Sequence, residues 1–356
     1  MTPSPNCANC GSDITVTTPF GSIVDVPGIG VGHHQRVGRG WQTGTTVVAA
    51  PGGATPGVDV RGGGPGTRET DALHPENLIQ TIHAVTLTGG SAYGLAAADG
   101  VVEVLEEAGL GFPIAEHVVP VVPGAVIFDL GRGGSFTNRP DRTFGYRAAR
   151  RALARRPIPG WGAVGAGTGA RAGGLQGGVG TASQPVRVGD FEYIVGALVV
   201  VNANGSAIDP ASGIPWEPSG LGIKRPSSAE RVALLSSFTG QAEASLNTTI
   251  GVVAVSARLS KSECSKLAAT AHDGLARAIR PAHSMTDGDT VFTLATGDIE
   301  VPRYDATEGP HRLEVLNALL RVSADVFAAA CTHAVISART IGDVPAWRDV
   351  CSNSLL

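Results

Sequence analysis

The junction between Asn247 and Thr248 has the clearest chemical potential of any position in the sequence. Residues 244–255 read ASLNTTIGVVAV, so a polar segment changes abruptly into a β-branched apolar run. The pattern predicts a buried strand over residues 249–255, with Thr248 at its start and a loop before it. A threonine hydroxyl at such a point can attack the carbonyl carbon of the preceding residue. Hydrolysis of the resulting ester would leave Thr248 with a free α-amine.

A free α-amine changes what Thr248 can do. Its reference pKa is about 7.7–8.0, so part of it is unprotonated near neutral pH and can act as the base for the hydroxyl of the same residue. The triplet alone is also compatible with an ordinary Thr-rich strand start, or with a glycosylation acceptor. Residues 1–20 lack the basic start and apolar centre of a secretory signal, which argues against glycosylation.

Two glycine-rich segments are further candidates for binding sites. Gly90 and Ser91 stand at the start of a predicted helix, where backbone N–H groups stabilise negative charge, and Tyr93 follows them. These residues could bind an oxyanion or a substrate carboxylate, and a tight turn with Ser91 as the N-cap fits equally well. Residues 165–170 match the spacing G-x-G-x-x-A, but a poor helix start follows them, so we expect no dinucleotide there.

Composition argues against several function classes. Of the 356 residues 42% are hydrophobic and 16% are charged, and a net charge of −4 does not suggest nucleic-acid binding. Five scattered cysteines do not suggest a disulfide framework, and the CxxC of Cys7 and Cys10 lacks the second pair that a zinc site needs. The apolar runs are too short to span a bilayer. We therefore expect a cytoplasmic protein with no metal, no cofactor, and no nucleic-acid or membrane partner.

The elements that must position these residues mix helices and strands along the chain. Helices are predicted over residues 91–108, 143–156, 260–279 and 311–336, and Ser227 with Glu230 and Ser260 with Glu263 fit the capping box of a helix start. Strand-length apolar segments cover residues 22–26, 45–50, 83–88, 124–130, 196–201 and 290–292. One α/β domain with sheets packed between helices fits this order. Residues 1–20 are polar and are expected to form a flexible extension.

Taken together, these segments resemble the L-aminopeptidase/D-esterase family, which includes β-peptidyl aminopeptidases and the nylon-oligomer endohydrolase. The resemblance spans roughly residues 23–297, and several motifs in the same order are more specific than any one of them. The motifs are IVDVPGIGVGH, VDVRGGGPGTRETDAL, LTGGSAYGLAAADGV, VPGAVIFDL, GAGTGARAGGLQGGVGTAS, VVVNANG, NTTIGVVAVSARLS and AHDGLARAIRPAHSMTDGDTVFTLATG.

The resemblance implies an αββα sandwich, with two sheets packed between helical layers, in a single domain that cuts itself. The larger fragment would contribute residues 21–247 to this domain, after the extension over residues 1–20, and the smaller fragment would be residues 248–356. Thr248 matches the family's nucleophile, Asp287 and Asp289 match two acidic residues of the nylon-hydrolase branch, and Asn202 matches an Asn that helps to bind the oxyanion. From the residues alone, the Asp-Gly-Asp segment also fits a tight turn, and Asn202 a strand-end turn. The two fragments are expected to stay associated and to form a homotetramer that acts on a small peptide or related amide.

Two positions depart from the nylon-hydrolase branch. Its catalytic Lys aligns with Gly174, and one of its Tyr residues aligns with Phe128, which is a candidate pocket residue without a hydroxyl. The inference of self-cleavage does not depend on these two positions, whereas the inference about which substrate is bound does. Besides an aminopeptidase-type amide hydrolase, the sequence is therefore compatible with an endo-type 6-aminohexanoate-oligomer hydrolase, an ornithine acetyltransferase-like acyltransferase and a non-catalytic small-molecule binder.

Overall fold

The computed structural model describes residues 14–16, 21–154, 160–218, 222–239, 247–305 and 309–354. Cys7, Cys10 and most of the expected extension over residues 1–20 lie outside the described residues. So do residues 240–246, which precede the Asn247–Thr248 junction. Within the expected extension, the described Ile14–Val16 forms an edge strand.

The described residues form fourteen strands and seven α-helices. The strands are β1 (Ile14–Val16), β2 (Gly30–Gly38), β3 (Trp41–Val60), β4 (Thr67–Arg68), β5 (Ile82–Thr88), β6 (Phe112–Ile114), β7 (His117–Val119), β8 (Gly124–Val126), β9 (Arg171–Ala172), β10 (Leu175–Gln176), β11 (Gly178–Val188), β12 (Phe191–Val201), β13 (Ile250–Ala257) and β14 (Thr290–Ile299). The helices are α1 (Ser91–Gly94), α2 (Ala97–Glu107), α3 (Arg142–Leu153), α4 (Ser228–Thr239), α5 (Lys261–Ala278), α6 (Arg312–Ser337) and α7 (Trp347–Val350).

Most predicted elements are present, and two differ for local reasons. The strand predicted over residues 22–26 is wrong: Ile23–Asp25 is a 3₁₀ turn, because Ser22 and Asp25 form a capping box in which the Ser22 N–H donates to the Asp25 carboxylate at 2.7 Å. The helix predicted over residues 91–108 is divided into α1 and α2 around Leu95. The capping boxes at Ser227 and Ser260 are confirmed at the starts of α4 and α5.

The twenty-residue strand β3 joins two sheets. Its first part pairs with β2 and β5, its last part pairs with β14, and the register shifts between Ala49 and Ala54. One sheet therefore has the order β1-β11-β12-β13-β14-β3, and the other continues from β3 through β5 and β8 to β4, with β2 on the outer side of β3. Only β13–β14 and β5–β8 are parallel pairs among these.

Three apolar clusters show that the sheets lie between two helical layers. In β12, Val199 and Val201 face the cluster shared with α5 and α6, while Leu198 and Val200 face the cluster between the two sheets. The alternation follows from the two-residue period of a strand, and both faces are buried because both are covered. A third cluster packs α2 and α3 against β3 and β5. The αββα sandwich is thus confirmed, whereas cleavage into two fragments stays a prediction.

Helix α6 is long and apolar, with a mean hydropathy of 1.5 in an 18-residue window, so by length and composition it could cross a membrane. However, 78% of that window is buried inside the protein. The window therefore has the character of a core helix, packed on β11 and β12. It lies so close to β11 that a Cβ on Gly180 would be 2.0 Å from the Ala330 carbonyl oxygen, so only glycine fits at that position.

Candidate active site

The pairing of three strands brings the predicted residues together. The β12–β13 register pairs Val200 with Ile250, and two residues further along it places Asn202 opposite Thr248. The parallel β13–β14 register pairs Ile250 with Thr290, so Gly288 lies beside Thr248. Asn202, Thr248 and the Asp-Gly-Asp segment therefore meet at one end of the sheet, although 86 residues separate Asn202 from Gly288.

Thr248 is buried at the start of β13, with 5% of its surface exposed. Its N–H donates to the Asn202 carbonyl oxygen at 2.5 Å. Its hydroxyl donates to the carbonyl oxygen of Asn247, the residue on the other side of the predicted cleavage site. The nucleophile and the carbonyl group that it would attack therefore lie in contact within the intact chain.

The backbone N–H of Gly288 donates hydrogen bonds to both reacting groups. It donates to the Asn247 carbonyl oxygen at 3.2 Å and to the Thr248 hydroxyl at 3.1 Å. A Cβ at position 288 would lie 2.9 Å from the Thr248 hydroxyl oxygen and 2.8 Å from the Gly64 carbonyl oxygen, so the close approach needs glycine. A donor in this place can stabilise the charge that develops on the carbonyl oxygen during attack.

Asp289 holds the start of β13 rather than Thr248 itself. One carboxylate oxygen accepts from the Thr249 N–H at 2.7 Å. The other accepts from the backbone N–H of His283 at 3.1 Å and lies 2.8 Å from the ring Nδ1 of His283. Both oxygens are thus engaged, and the carboxylate is buried.

Asp287 is buried and keeps one oxygen open. Its Oδ2 accepts from the backbone N–H of Ser284 at 2.9 Å and from the Ser284 hydroxyl at 2.6 Å. Its Oδ1 has no hydrogen-bond partner among the described residues. A buried acceptor without a partner is costly, so this oxygen is suited to receive a donor that the intact chain does not supply.

Asn202 is fully buried, and its side-chain amide is held in one orientation. The Oδ1 atom accepts from the Arg132 guanidinium at 2.5 Å and from the Arg171 N–H at 3.1 Å. The Nδ2 group finds no acceptor in the described part of the chain. Because two donors lie at Oδ1, the NH₂ group must point the other way, where it is free to donate to an oxyanion.

Arg132 and Asp129 form the charged support behind Asn202. Burial lowers the pKa of Arg132 to about 10, opposed by the neighbouring Asp129. Burial raises the pKa of Asp129 to about 6, although the Gly90 N–H and Arg132 favour its ionised form. Arg132 is not among the residues predicted from the sequence, where its only local signal is its place in the glycine-rich run after residue 130.

The four tentative substrate or oxyanion residues lie around this support. The Gly90 N–H donates to Asp129 at 2.7 Å and the Ser91 N–H donates to the Ile127 carbonyl at 3.0 Å, so both donors have partners within the protein. Tyr93 is 54% exposed and stacks against the Arg139 guanidinium, and Phe128 is half-buried next to Asp129. None of the four forms a described hydrogen bond to Thr248.

His283 contacts the site through Asp289. Its ring lies against His272, with 5.0 Å between the ring centroids. His272 in turn lies 3.1 Å from the Asp59 carbonyl oxygen, and burial lowers the pKa of His272 to about 4. The only sequence signal for His283 is its position a few residues before the Asp-Gly-Asp segment.

Comparison with known proteins agrees with this geometry. The model of peptidase family S58 matches residues 21–345. A Mycobacterium tuberculosis protein described as an uncharacterized aminopeptidase is 48% identical over 343 residues, covering 92% of this chain and 97% of its own length. A 6-aminohexanoate-oligomer endohydrolase of a Kocuria species is 33% identical over 291 residues, covering 78% of this chain and 76% of its own length.

Two solved structures share the fold. A β-aminopeptidase of a Burkholderia species has a TM-score of 0.65 at 22% identity, with 97% of each chain covered. The L-aminopeptidase D-Ala-esterase/amidase of Ochrobactrum anthropi, described as a variant of the Ntn hydrolase fold, has a TM-score of 0.68 at 20% identity, with 94% of this chain and 91% of that chain covered. With the family match and the close relatives, these findings confirm the resemblance seen in the sequence. The chain therefore belongs to peptidase family S58 and is an amide-bond hydrolase.

Proposed function

We propose that the chain cuts itself between Asn247 and Thr248 and then hydrolyses short peptides or related amides with Thr248 as its nucleophile. The observation that carries this proposal is the contact between the Thr248 hydroxyl and the Asn247 carbonyl oxygen, with the Gly288 N–H directed at both. A strand-start threonine with a purely structural role would not need this arrangement.

Self-cleavage would proceed in two steps. The Thr248 hydroxyl oxygen bonds to the carbonyl carbon of Asn247, the C–N bond breaks, and the hydroxyl proton passes to the leaving nitrogen. The nitrogen becomes the α-amine of Thr248, and Asn247 is left as an ester on the Thr248 side chain. Water then adds to this ester, releasing the Asn247 carboxylate and restoring the hydroxyl. The Gly288 N–H stabilises the oxyanion of both steps.

The mature site would repeat the attack on a substrate. The α-amine takes the hydroxyl proton while the oxygen attacks the substrate carbonyl, and the leaving amine recovers the proton. The unpartnered Nδ2 group of Asn202 stabilises the oxyanion. The open Oδ1 of Asp287 orients the amine, and the opposite charge also favours its protonated form. Water finally hydrolyses the acyl-enzyme.

Aminopeptidase action on small peptides is the favoured activity, because relatives at 48% identity carry that description over nearly their whole length. The match to 6-aminohexanoate-oligomer endohydrolases favours a second candidate, the hydrolysis of synthetic amide oligomers. Gly174 and Phe128 stand where that branch has a Lys and a Tyr, which makes this the weaker of the two. Assembly as a homotetramer is a further proposal from the resemblance.

Denaturing mass spectrometry of purified protein tests the proposal. Wild type should give two fragments that correspond to residues 1–247 and 248–356, and Thr248→Ser should do the same because it keeps the hydroxyl. Thr248→Ala should remain one chain and should not hydrolyse aminoacyl amides. Thr249→Val is the matched control, since the Thr249 hydroxyl has no partner among the described residues. Cleavage and hydrolysis by Thr248→Ala would overturn the proposal.

A further inference from the structure

In the intact chain, Asn247 lies beside the nucleophile in the manner of a bound peptide residue. Its N–H donates to the Thr286 carbonyl oxygen at 3.2 Å, and its own carbonyl oxygen accepts from the Gly288 N–H at 3.2 Å. These bonds form a parallel bridge that pairs Asn247 with Asp287. Peptides that add to the edge of a strand are held by main-chain hydrogen bonds of this kind. Asn247 is 4% exposed, so it fills this position in the uncleaved protein.

The chemistry of the proposed self-cleavage makes Asn247 a model for the acyl residue of a substrate. The ester formed in the first step joins the Asn247 carbonyl carbon to the Thr248 hydroxyl oxygen. An aminoacyl substrate would form the same kind of ester on the same oxygen, with its acyl residue instead of Asn247. Both esters need a donor at the carbonyl oxygen when water attacks, and the Gly288 N–H already lies at that position.

Charge favours the departure of Asn247 after cleavage. Hydrolysis of the ester gives Asn247 a carboxylate, close to the buried carboxylates of Asp287 and Asp289. Like charges at short range repel, and the new amine of Thr248 carries at most one positive charge against three negative ones. Once Asn247 leaves, one carbonyl loses its donor and the N–H of the bridge loses its acceptor. Both groups then become available to a substrate.

The position vacated by Asn247 lies close to exposed parts of the chain. Met285, which precedes Thr286, is 82% exposed, whereas Gly288 is buried. Residues 63–65 are exposed as well, and the Gly64 carbonyl oxygen would lie 2.8 Å from a Cβ on Gly288. The segment from Met285 to Gly288 therefore runs from solvent to the nucleophile, and a substrate can bind along it.

The spacing of the two hydrogen bonds favours α-aminoacyl residues. In Asn247 a single Cα atom separates the N–H that donates to Thr286 from the carbonyl group that accepts from Gly288. A β-aminoacyl residue has one more atom between these groups, which in an extended chain adds about 1 Å to their separation. A 6-aminohexanoyl group has four more carbon atoms. In the extended conformation of the bridge, neither group can form both hydrogen bonds.

We infer that the position vacated by Asn247 is the acyl subsite of the mature enzyme and that it selects α-aminoacyl residues. The substrate amine donates to the Thr286 carbonyl, and the substrate carbonyl oxygen accepts from the Gly288 N–H as well as from Asn202. The inference rests on the proposed function and names its substrate class, amides whose acyl part is an α-amino acid. It argues against oligomers of 6-aminohexanoate.

Steady-state kinetics of cleaved wild type with three p-nitroanilides test this subsite, namely those of L-alanine, β-alanine and propionic acid. Each kcat/KM is divided by the rate of hydroxide-catalysed hydrolysis of the same compound, which corrects for differences in carbonyl reactivity. The corrected value should be about tenfold or more higher for the L-alanyl compound, because the other two place no donor at the Thr286 carbonyl. Thr248→Ala is the control and should hydrolyse none of them.

Equal corrected values for the L-alanyl and β-alanyl compounds would overturn the subsite, and so would equal values for the L-alanyl and propionyl compounds.

Calorimetry on cleaved wild type tests the hydrogen bond to Thr286 directly. The ligand is acetyl-L-leucyl-L-alanyl methyl ketone, which keeps a carbonyl group for Gly288 and has no leaving group. Its analogue has an ester oxygen in place of the alanine N–H, which removes the donor and adds no bulk. The Kd of the analogue should be about tenfold higher. Equal Kd values for the two compounds would contradict the inference.

The two experiments together separate this inference from the proposed function. If cleaved wild type hydrolyses none of the anilides but binds the ketone more tightly than its ester analogue, the proposed hydrolysis fails and the subsite stands. If it hydrolyses the L-alanyl and β-alanyl compounds equally and does not distinguish the two ketones, the proposed function stands and the subsite fails.

Discussion

Asn202 combines two roles that usually belong to different residues. Its backbone carbonyl accepts from the N–H of Thr248, and its side-chain amide is oriented by Arg132 so that the NH₂ group is free. Neither role could be predicted from the local sequence, because Arg132 lies 70 residues away. The family resemblance pointed to Asn202, and the structure shows that Arg132 orients its side-chain amide.

The two oxyanion donors make a prediction that separates self-cleavage from catalysis. Asn202→Asp keeps an acceptor for Arg132 and replaces only the NH₂ group. Self-cleavage should continue, since the Asn247 carbonyl oxygen accepts its hydrogen bond from the Gly288 N–H. The kcat for substrate should fall by about 10²-fold or more, because an oxyanion donor is replaced by a negative oxygen. Mass spectrometry and kcat on the same preparation check this, and loss of both functions together would contradict it.

Asp129 gives a prediction for stability against pH. Its pKa is raised by burial from 3.8 to about 6, so the folded state holds a proton that the unfolded state has already released. The protonated Asp129 therefore contributes to the free energy of unfolding fully below pH 3.8, and this contribution is lost as pH rises through about 6. The loss in the free energy of unfolding is about 3 kcal/mol at most. Asp129→Asn should not show this loss. Chemical unfolding of both proteins from pH 4 to 7 measures the difference, and parallel curves would refute the prediction.

At the scale of the elements, capping-box residues correctly predict where a helix starts. The apolar pattern of a strand is less reliable where such capping residues flank it. Ser260 and Glu263 form the capping box expected from their spacing, with the Ser260 N–H donating to Glu263 at 2.8 Å. Ser22 and Asp25 have the same spacing, and there the local hydrogen bonds replace the strand that the apolar residues between them suggest. Hydrophobic pattern alone does not decide between these outcomes.

Close contact between α6 and β11 predicts a large difference between two glycine substitutions. Gly180→Ala would place its Cβ against the Ala330 carbonyl, and the helix must move to relieve the clash. The free energy of unfolding should fall by about 1–3 kcal/mol. Gly52→Ala is the matched control, because nothing lies within 4 Å of its Cβ and its backbone suits any residue. Urea denaturation should show no loss for Gly52→Ala, and equal effects of the two variants would be evidence against this packing.

At the scale of the whole molecule, the predicted cleavage site lies within the fold rather than between two halves. Residues 248–356 include β13 and β14, which pair with each other and with β12 and β3 of the preceding part of the chain. Hydrophobic periodicity predicted these strands individually. Their order, and therefore the meeting of Asn202, Thr248 and Gly288, follows from pairings between distant segments that periodicity does not encode.

The shared sheet predicts that the two fragments do not separate after cleavage. Native size-exclusion chromatography should give one peak that contains both chains, whereas denaturing electrophoresis of that peak should show two. Dissociation should require the same denaturant concentration that unfolds the sheet. The uncleaved Thr248→Ala chain is the control and should elute at the same position. Separate elution of the fragments under native conditions would contradict the prediction.

In the proposed self-cleavage, the hydrogen bond from the Thr248 N–H to the Asn202 carbonyl would matter most when the bond between Asn247 and Thr248 breaks. The nitrogen loses its acyl partner but keeps this acceptor, so a newly formed amine is anchored before any water or substrate arrives. Because one N–H stays bonded to the Asn202 carbonyl, the amine could rotate only about that hydrogen bond, and it would remain beside the Thr248 hydroxyl. In the proposed mechanism, maturation would therefore need no new alignment of β12 and β13, and the enzyme would become competent by losing one covalent bond.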